Sequence, residues 1–187
     1  MNTAQQNNAP LLTPVAPEGQ EDRANAILNM AKEHMGFVPD GMRLYSLSPT
    51  LLETFFANIG YFTQETTVPA LVTTMIRYLV SSEANCAFCI DMNEGFLLNM
   101  GLELDAIRAA RNNTSLAPVN ESEYVLLDIA LRSVREPEGV SHTDMEMARS
   151  KGWTDREIFD AVAQAANIRA FNNILRTFNI EQQGVYA

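Results

Sequence analysis

The chain reads as all-α, and three observations carry that expectation. Helix-start signals recur. Ser48-Pro49 and Thr67 to Pro69 set proline at an opening turn, while Asn120-Glu121-Ser122-Glu123 and Thr154-Asp155-Arg156-Glu157 spell capping boxes. Apolar residues behind these starts return at three- and four-residue intervals. No run alternates strictly between apolar and polar residues, as a half-buried strand would.

Taken in order, residues 1–20 are rich in Gln, Asn and Pro and lack an apolar period. They predict a mobile or extended arm suited to lying on a neighbouring subunit, with one helical domain over 21–187. In the first helix Ile27, Met30, Ala31 and His34 form one stripe, ended by Gly36 and Pro39. His34 suits the negative end of the helix dipole. Behind Ser48-Pro49, Leu51, Leu52, Phe55, Phe56 and Ile59 give the buried face of the next helix. Leu71, Val72, Met75 and Leu79 do so for the third. Ile90, Phe96, Leu97 and Met100 line a fourth, which Gly101 stops.

Beyond it, Tyr124, Leu127, Ile129, Ala130, Leu131 and Val134 follow the capping box at Asn120. Ser141 with Asp144 opens a short helix that stops at Gly152. Ile158, Val162, Ala165, Ile168, Phe171, Leu175 and Phe178 form the last stripe, with Trp153 expected to pack beneath it. Gly101-Leu102-Glu103-Leu104-Asp105-Ala106-Ile107 echoes Gly152-Trp153-Thr154-Asp155-Arg156-Glu157-Ile158, which fits either a half-repeat or shared capping grammar. Asn167, Asn172 and Asn173 interrupt the apolar last helix. Asparagines so placed satisfy backbone, face a subunit or line a pocket.

The net charge of −10 speaks against nucleic acid and anionic membrane surfaces as partners. No apolar run approaches the roughly 20 residues of a membrane span, and residues 1–8 lack the pattern of a secretory signal. A soluble, cytoplasmic protein is expected.

Cys86 and Cys89 are the only cysteines. As a staple they would be poor, because closing so short a loop removes only about 2 kcal/mol of unfolded-state entropy, against about 3 for a 15-residue loop. Two thiols spaced for easy exchange read instead as redox chemistry in a reducing compartment. With Asn85, Ser81 or Ser82 as N-cap, Cys86 falls in the first turn of a helix and shares a face with Cys89. Helix N-termini lower thiol pKa values, and a thiolate attacks disulfides and peroxides. His34 and His142 stand far from the pair at no ligand spacing, so neither a metal nor an organic cofactor is expected.

Val80-Ser81-Ser82-Glu83-Ala84-Asn85-Cys86-Ala87-Phe88-Cys89 resembles the signature segment of the AhpD-like, carboxymuconolactone decarboxylase-related superfamily. Gly36-Phe37-Val38-Pro39 with Ser48-Pro49 is similar to the lead-in of its peroxidase-related branch, and the Gly152 to Ile158 segment with Phe171-Asn172 resembles its last helical pair. The resemblance implies an AhpD-like helical bundle, a homo-oligomer such as a trimer or hexamer, and disulfide-coupled reduction of hydroperoxides. It makes Cys89 the attacking thiol and Cys86 the resolving one.

The resemblance also places a relay histidine where this chain has Asn93 and a relay glutamate where it has Thr74. An amide cannot shuttle protons at neutral pH. Glu83 offers itself as a substitute base if one helix carries it and Cys86, and Asn93 as a residue orienting Cys89. Cys86, Cys89, Glu83 and Asn93 are therefore the candidate site.

The expected function is an antioxidant, weakly peroxide-reducing thiol protein acting on a small hydroperoxide or disulfide with a separate thiol reductant. The alternative is a catalytically lapsed helical oligomer that binds or scaffolds. Lactone decarboxylation, the chemistry of the family's other branch, finds no base here.

Overall fold

The structure, a computed structural model, describes residues 9–186. Among these residues there are nine α-helices, two single 3₁₀ turns and no strand. The helices are α1 (Glu21–Met35), α2 (Asp40–Tyr45), α3 (Pro49–Gln64), α4 (Ala70–Glu83), α5 (Ala87–Asn99), α6 (Leu104–Asn112), α7 (Glu121–Arg135), α8 (His142–Ser150) and α9 (Asp155–Thr177). None of them is long and apolar enough to cross a membrane. The chain divides into two compact units, 1–61 with 174–187, and 62–173.

In the first unit Ala24, Ile27 and Ala31 of α1 bury against Met42 of α2 and Leu52 of α3, and Tyr45 stacks on Phe55. Four expectations are corrected here. Met30 and His34 are exposed rather than part of the α1 stripe, because the buried face is centred on Ala24, Ile27 and Ala31. His34 Nδ1 lies 2.9 Å from the Met30 carbonyl in the last turn. Leu51, turned about 100° around the helix from Leu52, is 57% exposed, and Ile59 is exposed as well.

The first eight residues of the expected arm lie outside the described residues. In its remainder the Leu11 N–H donates to the Phe178 carbonyl and the Ala9 carbonyl accepts from the Asn179 amide. At the other terminus, the buried Asp40 carboxylate accepts from the N–H groups of Val185 and Tyr186.

The second unit is built around α4, which packs chiefly on α5 and α7. Val72, Met75, Ile76, Tyr78, Leu79 and Val80 are all buried, so α4 is apolar almost all round, as an internal helix must be. Leu126, Leu127, Ile129, Ala130 and Leu131 of α7 and Ile158, Ala161, Ala165 and Ile168 of α9 complete one core. Trp153 packs on this core and donates Nε1–H to the Ser122 carbonyl.

The echoed segments match in three dimensions. Gly101 and Gly152 take φ of +89° and +96°. The next N–H in each closes back five residues, Leu102 to Leu97 and Trp153 to Ala148. Ile107 and Ile158 are then buried alike.

The capping boxes at Asn120, Ser141 and Thr154 all form. At Ser141 the Asp144 carboxylate also pairs with Arg132, and the two together hold it well below the usual carboxylate range. A depressed folded pKa stabilises above the unfolded value of about 4 and is lost as pH falls through the folded one. Asp144→Ala is expected to cost about 1–2 kcal/mol at neutral pH. In urea unfolding, the gap from the parent protein should narrow steadily below about pH 4.

Candidate active site

Local rules decide where the two sulfurs sit. α4 ends in a Schellman turn: Asn85 adopts left-handed backbone (φ 53°) and donates its N–H to Ser82, while the Cys86 N–H reaches back 3.0 Å to the Ser81 carbonyl. Asparagine is the residue after glycine most at ease there. The expected caps Asn85, Ser81 and Ser82 are thus corrected. The first two close the end of α4, Ser82 Oγ–H donates back to the Tyr78 carbonyl, and Cys86 itself is the N-cap of α5 with extended φ and ψ. Cys89 occupies the third helical position, where backbone N–H groups at the helix start remain free of intrahelical partners.

This geometry brings Cys86 Sγ and Cys89 Sγ to 2.8 Å, both in free thiols, with the residues only 1% and 2% exposed. A disulfide bond measures about 2.05 Å, so closure requires an approach of about 0.8 Å. The hydrogen bond to Cys86 holds the Cys89 thiol well above its ordinary range, and burial and charge on the Cys86 sulfur add to it. Hydrogen bonds from Asn172 and Ser81 pull it down. Two sulfurs so close cannot both ionise, and the pair carries one thiolate at most under ordinary conditions.

Glu83 is the last residue of α4, and its carboxylate pairs with Arg135 of α7. The single helix needed to carry Glu83 and Cys86 on one face is broken at Ala84-Asn85, which corrects that premise. Asn93 is buried on α5 and donates Nδ2–H to the Cys89 carbonyl at 2.7 Å. Its Oδ1 accepts from Arg77 Nε at 2.9 Å.

Arg77 is the residue sequence reasoning missed. From the apolar α4 it donates to Thr74 Oγ1 at 2.8 Å, to Asn93 Oδ1, and to Gln164 Oε1 of α9 at 3.4 Å. No carboxylate among the described residues pairs with it, and burial pushes its guanidinium down to about 10. Thr74 and Asn93, which stand where the resemblance places glutamate and histidine, therefore both bind one cation. A lone arginine in the apolar stretch from Leu71 to Val80 was the available signal.

Asn172 was noted only as a polar interruption. It is fully buried on α9 and donates Nδ2–H to Ser81 Oγ at 3.0 Å. Among the described residues, no group of three or more His, Cys, Asp or Glu gathers as a metal site.

No protein-family model matches the sequence, and no curated protein does either. Solved structures do. An uncharacterized peroxidase-related protein from Silicibacter sp. TM1040 is 21% identical with a TM-score of 0.81, over 95% of this chain and 93% of its own. An uncharacterized peroxidase-related protein from Ralstonia eutropha JMP134, described as an alkylhydroperoxidase AhpD core, is 21% identical with a TM-score of 0.76, over 91% and 89%. The debrominase Bmp8, solved with 2,3,4-tribromopyrrole, is 17% identical with a TM-score of 0.67, over 89% and 91%. The likeness is one of architecture, and by it this chain has the all-α, AhpD-like fold of the peroxidase-related proteins.

Proposed function

We propose that the protein is a thiol–disulfide redox protein with antioxidant, hydroperoxide-reducing activity through Cys86 and Cys89. The observation that supports it is the 2.8 Å approach of the two sulfurs at the start of α5. One thiolate attacks the distal oxygen of a hydroperoxide. An S–O bond forms, the O–O bond breaks, and the leaving alkoxide takes a proton to become the alcohol. The second sulfur then displaces hydroxide from the sulfenic acid, forming the disulfide and water. Two electrons have left the pair, and an external thiol returns them. Burial of both sulfurs favours a small oxidant, and reduction requires the turn at Asn85 to open. A reducing compartment and a homo-oligomer, trimer or hexamer, belong to the same reading. Association is supported by an apolar cleft of about 400 Å³ lined by Val140, Met145, Ile158, Phe159 and Val162, where Phe159 is 69% exposed.

Treatment of the native protein with hydroperoxide is expected to remove two hydrogens from its mass, restored by dithiol. An unchanged mass at every oxidant dose sinks the proposal. A second reading, a lapsed oligomer that binds or scaffolds, draws on the arginine where a proton relay would be and on the buried sulfurs. Ordinary thiol pKa values near 8.5 for both cysteines, with no reversible disulfide, would select it.

A further inference from the structure

The Asn172 side chain is only half satisfied. Its Nδ2 end serves Ser81 Oγ, on the residue whose carbonyl accepts from the Cys86 N–H, and the amide acts on the Cys89 thiol, yet Oδ1 has no partner although the residue is fully buried. A buried acceptor without a donor costs free energy, and a leucine of similar volume would avoid that cost. The cost is recovered when a ligand supplies the missing hydrogen. The place is telling, because this amide is tied through Ser81 to the turn that carries both sulfurs.

A hydroperoxide carries its O–H on the very oxygen that the thiolate attacks. That hydrogen stays on the oxygen when the sulfenic acid forms, so a single acceptor serves reactant and product. A disulfide substrate brings no such hydrogen.

We infer that Asn172 is a substrate-binding residue of the thiol site, its Oδ1 accepting the O–H of the attacked peroxide oxygen while Ser81 fixes the other end of the amide. This rests on the redox reading above and deepens it. Asn172 thereby separates hydroperoxides from disulfides in the oxidising half-reaction. Ser81 is a positioning residue, since it acts through the amide.

The test compares the parent protein with Asn172→Leu, each normalised to titrated thiol. Rate constants are measured with hydrogen peroxide and with 4,4′-dithiodipyridine, a disulfide without donor hydrogens. The peroxide rate is expected to fall about tenfold or more, the loss of one good hydrogen bond. The dithiodipyridine rate falls only through the lost influence of the amide on the Cys89 thiol, which slows both oxidants alike, so the ratio of the peroxide rate to the dithiodipyridine rate is expected to drop about tenfold. Should Asn172→Leu not fold, Asn172→Ser is read for the same drop in the ratio of the two rates. Equal losses with both oxidants, or an unchanged peroxide rate, overturn the role of Asn172 alone. A parent protein that forms no reversible disulfide with either oxidant overturns the underlying reading as well.

Discussion

Serine in place of Cys86 or Cys89 is expected to abolish disulfide formation, leaving no two-hydrogen mass loss after peroxide. Each substitution removes one of the two sulfurs the bond needs and keeps a side chain of nearly the same shape. The two variants should differ in what accumulates. If Cys89 attacks, as the resemblance implies, then Cys86→Ser gains one oxygen as a stranded sulfenic acid. Cys89→Ser should gain oxygen far more slowly, because the sulfur it keeps is the one the resemblance assigns to resolving rather than to attack. Intact far-ultraviolet circular dichroism controls for folding. Full peroxide turnover in either variant would end the dithiol proposal.

Restoring the relay that the resemblance describes should have the opposite sign. Asn93→His combined with Thr74→Glu is expected to raise the peroxide rate by about 10²–10⁴-fold, the usual worth of positioned acid–base help. The geometry explains why both changes are needed. Arg77 already bonds both positions. A new carboxylate at 74 would neutralise it, and imidazole at 93 would stand on the α5 turn that carries Cys89. With Arg77 so neutralised, the imidazole titrates in the usual histidine range and is free to take a proton at neutral pH. The check is the pH profile of thiol oxidation, which should acquire an inflection near a histidine pKa. No gain in rate and no new inflection would mean that proton removal does not limit the reaction.

The arrangement around Arg77 also shows why the site was only half legible. Two cysteines three apart announce themselves in any sequence, and the resemblance pointed to Asn93 and Thr74 as departures. What could not be read was that one arginine joins them. Nor does any spacing rule bring Gln164 or Asn172 to α4, because those meetings depend on how α9 docks there. The cap at Cys86 failed for a local reason: Ser81, Ser82 and Asn85 are all good N-caps, and nothing in composition says that Asn85 would turn left-handed and end the previous helix instead.

The amino-acid order alone determined the helical class, the capping boxes at Asn120, Ser141 and Thr154, the glycine stops and the close thiol pair. Each depends on backbone groups within about six residues, so neighbours in the chain suffice to satisfy them. Tertiary structure decided the chemistry around the sulfurs: the Arg77 bond to Gln164 spans 87 residues and the Asn172 bond to Ser81 spans 91. Such contacts form only once the core is packed, because burial is what obliges each polar group to find a partner and leaves Asn172 Oδ1 without one.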